Sequence, residues 1–308
     1  MRYQSCQEVS PLRQSIRSIM AAVDREGGAQ QAAAKAVALA RLSGAQVELF
    51  HCDSERAYSR QHQYDPRAAA RARESCLAES RHFLDTLWSS LAVTDVAASM
   101  SVACESPLYA GIVHAAERVH PDLVVRGLHL PHTAGRPVGA GLDANDWELV
   151  RACPAPLLLT HGRAWKRPPV IAAAIDLSAA ESAELTGAIL RNAAAVAKSA
   201  GGALEIVHAA HFDCAQPQEE LARRAALAER AQSAGVTAAA FHVLCGEPAT
   251  VLPQFAQHRD FDLIVLGALT HRKALTALVG TLTGRLIETV DCDCLLVKPA
   301  SGASAGTS

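Results

Sequence analysis

The sequence predicts an α/β protein made of two tandem units, each a five-stranded parallel sheet with helices on both faces. Three observations lead there. Short apolar runs alternate with longer alanine-rich or charged helical stretches, the pattern of strand–helix–strand units. The alternation runs through once and then starts again. Its marker residues also keep nearly constant spacing: Asp24 and Asp176 lie 152 apart, Pro107 and Pro248 141, Gly127 and Gly267 140, Cys153 and Cys292 139.

The elements follow in order. Ser18 to Asp24 and Val170 to Asp176 are apolar runs too short for helices, each ending in an aspartate. Helical segments at 30–43 and 182–200 come next and stop at Gly44 and at Gly201-Gly202. Val47 to His51 and Leu204 to His208 are the second strands, and charged helices follow at 66–91 and 217–234. The third strands end near Pro107 and Pro248. The fourth, Pro121 to Gly127 and Phe261 to Gly267, include the apolar run Asp262 to Leu266, which reads as a buried parallel strand. Cys153 to Leu159 and Cys292 to Val297 close the two sheets. The units are placed at 1–162 and 170–300, joined by a basic, proline-containing linker at 163–169. A tail at 301–308 has nothing to bury and is expected to be disordered.

Composition excludes several classes of function. The formal charge of −2 gives no bulk attraction to nucleic acid or to an anionic membrane. Aromatics at 4% leave few platforms for stacking bases. No apolar stretch approaches the roughly 20 residues that span a bilayer, and the N-terminus lacks the apolar core of a signal peptide. Nine cysteines, most of them in or beside apolar runs as Cys104, Cys153, Cys245 and Cys292 are, read as small buried hydrophobes in a reducing compartment. A cytoplasmic protein is expected.

The chemistry concentrates after the fourth strand of the second unit. Gly267 ends that strand, a loop carrying His271, Arg272 and Lys273 follows, and Gly280-Thr281 open the next helical stretch. Glycine lets backbone N–H groups approach an anion, and a helix beginning there aims its N-terminus at it. Parallel sheets bind ligands beyond the carboxyl ends of strands where the winding reverses. If the reversal lies between the first and fourth strands, Asp176 and Gly267 border one crevice.

Taken together, the strand-end aspartates, Pro248, Gly267 through Thr281, Val290-Asp291-Cys292 and the Asp146–Pro154 segment resemble the universal stress protein family, in its tandem form. The resemblance implies Rossmann-like domains that pair through their last strands, with adenine nucleotide bound in one branch of the family. That branch carries G-x2-G-x9-G-[ST] and a first-strand aspartate on the ribose side of ATP. Carried over, Asp176 takes the ribose role with Ser178 beside it. Gly267 is the first glycine, Gly280 and Thr281 hold phosphate, and Arg272 adds charge. Thr270 stands where the pattern has its second glycine. A β-branched residue is strained wherever φ must be positive, although its hydroxyl can donate to a phosphate.

The implied function is a stress-response module holding ATP, with or without magnesium, in the C-terminal unit. The N-terminal unit, with Leu142 in place of the hydroxyl residue and Pro131 and Pro137 in the loop, is mainly structural. The alternatives are a non-nucleotide interaction or dimerisation protein, or a slow ATP hydrolase. Edges left after internal pairing allow a homodimer. No P-loop, HExxH or GxSxG motif is present, and no catalytic residue is assigned. His208, His211 and Cys214 fall short of four convergent metal ligands, and no metal site is assigned.

Overall fold

The computed structural model describes residues 16–25, 29–54, 66–128, 142–178, 181–211, 216–268 and 282–299. In the first half β1 (Ser18–Val23), α1 (Ala29–Ser43), β2 (Gln46–Cys52), α2 (Pro66–Ser90), β3 (Ala98–Ala103), α3 (Leu108–Val119), β4 (Leu123–Gly127), α4 (Ala144–Ala152) and β5 (Leu157–Thr160) succeed one another. The second half repeats the order as β6 (Val170–Ala174), α5 (Ala183–Ala200), β7 (Ala203–Ala210), α6 (Pro217–Ser233), β8 (Ala240–Cys245), α7 (Pro248–Arg259), β9 (Leu263–Gly267), α8 (Leu282–Thr289) and β10 (Asp293–Val297). The tail at 301–308 lies outside the described residues.

All ten strands form one sheet, ordered β3-β2-β1-β4-β5-β10-β9-β6-β7-β8. Pairing is parallel within each half and antiparallel at the seam, where Leu157 to Leu159 face Leu296 to Cys294. The winding direction reverses between β1 and β4 and again between β6 and β9, which answers the condition left open by the sequence.

Strand residues alternate between two apolar layers, as a pleated sheet requires. Ile19, Ala21 and Val23 join the layer under α1, α2, α5 and α6. Met20 and Ala22 join the layer under α3, α4, α7 and α8. Both layers run across the seam, so the halves share their cores.

Local chemistry sets the boundaries. Ser182 caps α5, its side chain accepting from the Leu185 N–H at 3.1 Å, and Gly201 ends that helix in the left-handed conformation at φ 61°. Asp143 caps α4 in the same way, accepting from the Asp146 N–H at 2.7 Å. Asp122 and Asp262 hold the starts of β1 and β6: Asp122 accepts from the Arg17 and Ser18 N–H groups, and Asp262 from those of Lys166 and Val170.

A buried polar cluster ties the halves together. The Asp293 carboxylate, 1% exposed, meets Lys35, 6% exposed, at 2.8 Å. It also accepts from the Thr160 hydroxyl, the His161 N–H and the Trp165 indole at 2.8, 3.1 and 2.8 Å. Lys35 donates in turn to the Arg163 carbonyl at 2.6 Å and lies over the Trp165 ring. Across the seam the Lys298 ammonium donates to the carbonyls of Arg151 and Cys153 at the end of α4. Linker residues 163–166 are therefore fixed by side chains from both halves.

Candidate functional site

In the second half β6 and β9 pair only as far as Ala173 and Val265. Beyond that rung each strand bonds outward instead: the Ile175 N–H donates to Val207 and the Ala268 N–H to Val297. The two strands part there, and Asp176 and Gly267 lie just past the last paired residues, one on each strand. Topology thus brings together two of the residues singled out from sequence.

Asp176 is exposed, and its carboxylate is organised by Ser178. One oxygen accepts from the Ser178 N–H at 2.9 Å and the other from the Ser178 hydroxyl at 2.6 Å. The Asp176 N–H donates to Glu181 at 3.3 Å, and the same Glu181 oxygen accepts from the Thr186 hydroxyl at 2.8 Å. Burial pushes the Glu181 carboxyl above its usual range; the Thr186 hydrogen bond pulls it back, and the Asp176 charge adds to the rise. Sequence reading did not single out Glu181. Its only signal was a carboxylate just ahead of the Ser182 cap.

Close packing gives Gly267 a further reason to be glycine, beside the anion approach that the sequence suggested. Its φ is not in the left-handed region, and a Cβ there would lie 2.8 Å from Leu185 Cδ2. The first turn of α5 occupies the space a side chain would need. On the other side the Thr283 hydroxyl, in the first turn of α8, donates to the Gly267 carbonyl at 3.4 Å. The N-terminal end of α8 therefore lies against the end of β9. Thr270, Arg272, Gly280 and Thr281 lie outside the described residues.

The corresponding place in the first half is filled by charge. Arg126, buried on β4, reaches Asp24 at 2.7 Å and Asp146 of α4 at 3.5 Å. Burial raises the Asp146 carboxyl, and the Arg126 guanidinium opposes that rise. The equivalent position on β9 is Leu266, so the arginine belongs to this half alone. Its signal was present in the sequence as one cation inside an apolar run, where a partner is obligatory.

His51 and His208 occupy matching positions and behave alike. Their Nδ1 atoms bond the carbonyls of Val23 and Ile175 at 2.9 and 3.1 Å. His208 is buried, His211 is exposed against Glu247, and Cys214 lies outside the described residues. Among the described residues no three His, Cys, Asp or Glu side chains converge to hold a metal. Arg67, Arg71 and Arg73 on α2 are exposed. Cys104, Cys153 and Cys292 are buried free thiols as expected, but Cys245 is disulfide-bonded, which corrects its reading as a packed hydrophobe. It sits at the end of the edge strand β8, half-buried, where no second strand covers it. No described helix is long and apolar enough to cross a membrane.

A ten-stranded sheet of two like α/β halves, joined at an antiparallel seam, defines a tandem α/β protein. The Universal stress protein family matches residues 15–161 and 170–298, and the chain belongs to that family. It is 24% identical over 195 residues to universal stress protein E of Escherichia coli K12, covering 58% of this chain and 61% of that protein. The same-named protein of Photorhabdus laumondii is 21% identical over 303 residues, covering 92% and 96%. Among solved structures, a functionally unknown protein from Pseudomonas aeruginosa PAO1 matches with a TM-score of 0.68 at 23% identity, covering 93% of this chain and 94% of that one. A universal stress protein from Archaeoglobus fulgidus DSM 4304 matches at 0.63 and 11%, covering 94% and 99%.

Proposed function

We propose that this tandem universal stress protein binds ATP, with magnesium on the phosphates, in the crevice of its C-terminal half. The observation that carries the reading is the splay between β6 and β9, with Asp176 on one lip and Gly267 beside the N-terminal turn of α8 on the other. A helix N-terminus favours phosphate, and an exposed carboxylate can accept from ribose hydroxyls. Gly280, Thr281, Thr270 and Arg272 are the phosphate-side residues of this proposal. The N-terminal half serves mainly as a structural partner, because Arg126 forms ion pairs with Asp24 and Asp146 where a ligand would sit. With no dedicated base assigned, hydrolysis would be slow at most and would rest on positioning and the metal.

Equilibrium binding of ATP to the full chain tests this, with Gly280→Val as the comparison. The unaltered protein is expected to bind and the valine variant to lose binding while keeping its unfolding midpoint. No binding by the unaltered protein at millimolar ATP would sink the proposal and favour a stress-response interaction protein.

A further inference from the structure

The first turn of α5 reaches both strands where β6 and β9 part. Toward β9, Leu185 Cδ2 lies 2.8 Å from where a Cβ on Gly267 would be, so it packs directly against the strand end. Toward β6, the hydroxyl of the buried Thr186 donates to a Glu181 oxygen at 2.8 Å. That same oxygen accepts from the Asp176 N–H at 3.3 Å. Main-chain bonds tie the same residues: the Glu181 N–H donates to the Ser178 carbonyl at 3.3 Å, and the Thr186 N–H to the Ser182 carbonyl at 3.0 Å. Ser178 in turn holds both Asp176 oxygens. One carboxylate oxygen therefore ties the Asp176 backbone to a buried residue of α5. In the first half Asp24 is held another way, through its own carboxylate, by Arg126 at 2.7 Å. An ion pair compensates the charge of Asp24, whereas Asp176 is anchored by its backbone and keeps its side chain exposed.

We propose, resting on the ATP reading above for the identity of the ligand, that Glu181 is a positioning residue of the C-terminal crevice. By holding the Asp176 N–H against Thr186, it sets where the Asp176 carboxylate stands relative to Gly267, and so how firmly a ribose is held. The same helical turn then serves as the reference for both sides of the crevice, through Leu185 on one and Thr186 on the other. A carboxylate suits this task, because one of its oxygens can accept two bonds and it brings no donor that needs a partner. Bonds to an ionised acceptor are also the stronger ones, which keeps an exposed backbone in one place. Glu181 touches no ligand in this role; it acts through Asp176.

The test pairs two measurements on the full chain: equilibrium binding of ATP with magnesium, and hydrogen exchange of the Asp176 amide without nucleotide. Glu181→Ala is expected to bind ATP about tenfold more weakly and to exchange the Asp176 N–H about tenfold faster, the scale of one hydrogen bond to a charged group. Glu181→Gln keeps an oxygen that can accept both bonds, and should restore both values to within about threefold. Thr186→Val should weaken binding about threefold by itself and add nothing to Glu181→Ala, as residues acting through one another do. Additive losses, or an alanine variant that binds ATP as tightly as the unaltered chain, overturn the proposal and leave the ATP reading standing. If the unaltered chain binds no ATP, that reading fails and amide exchange alone decides the role of Glu181. An Asp176 N–H that exchanges like a free amide in the unaltered chain overturns the proposal without any variant, so one that fails to fold does not blunt the result.

Discussion

At Gly267 a single missing side chain decides two contacts at once. Leu185 packs into the space, and the Gly267 carbonyl accepts from Thr283. Gly267→Ala is expected to lower stability by about 1–3 kcal/mol, because a Cβ would lie 2.8 Å from a buried leucine methyl. Urea denaturation reads that loss, and adding Leu185→Val should recover part of it. An alanine variant as stable as the original would show that Leu185 moves freely. The sequence made Gly267 visible, since a glycine closing an apolar run stands out. What it hid was Leu185: glycine serves close packing as readily as anion approach, and the packing neighbour is distant in sequence. Arg126 is the reverse case, where the need for a partner was legible but Asp24 and Asp146 are distant in sequence.

Between elements, the histidines ending β2 and β7 are the most exacting joints. Each ring bonds through Nδ1 to the carbonyl at the end of the neighbouring strand, and among the described residues Nε2 of both is buried without a partner. Burial lowers both pKa values from 6.5, outweighing the carbonyl bonds and the nearby carboxylates. An unfolded histidine takes up a proton as pH falls below about 6.5, whereas these folded ones resist. Their contribution to stability is therefore full above that pH and is lost as pH falls through the lower folded values. The thermal midpoint should drop between about pH 7 and 5. The drop should be smaller in a His51→Asn, His208→Asn double variant, whose amides can still donate to the carbonyls. Equal drops would remove the histidines from the account. The long helices were legible to within a residue or two, at 29–43 and 183–200, but β3 closes at Ala103, four residues short of Pro107, and β5 opens at Leu157, four residues past Cys153. Alternation of apolar runs and glycine stops carries that information locally. Strand order does not, because it depends on which edges meet.

Across the whole molecule, Asp293 holds more together than any other described side chain. Asp293→Asn would leave the nearly sealed Lys35 ammonium without its counter-charge and place an amide N–H against the Lys35 or Trp165 donors. A loss of about 3–5 kcal/mol is expected in urea denaturation of the full chain. A loss under about 0.5 kcal/mol, the scale of an ordinary surface change, would show that the cluster is not the tie described above. Pairing β5 with β10 head to tail has one more consequence. The carboxyl ends of the first five strands point one way and those of the second five point the other. The Asp176 opening and the arginine-filled place of the first half therefore lie at opposite edges of the sheet. Duplication here makes a bipolar molecule and not a clamp. A partner docking at the Asp176 end would leave the arginine-filled end free for a second partner.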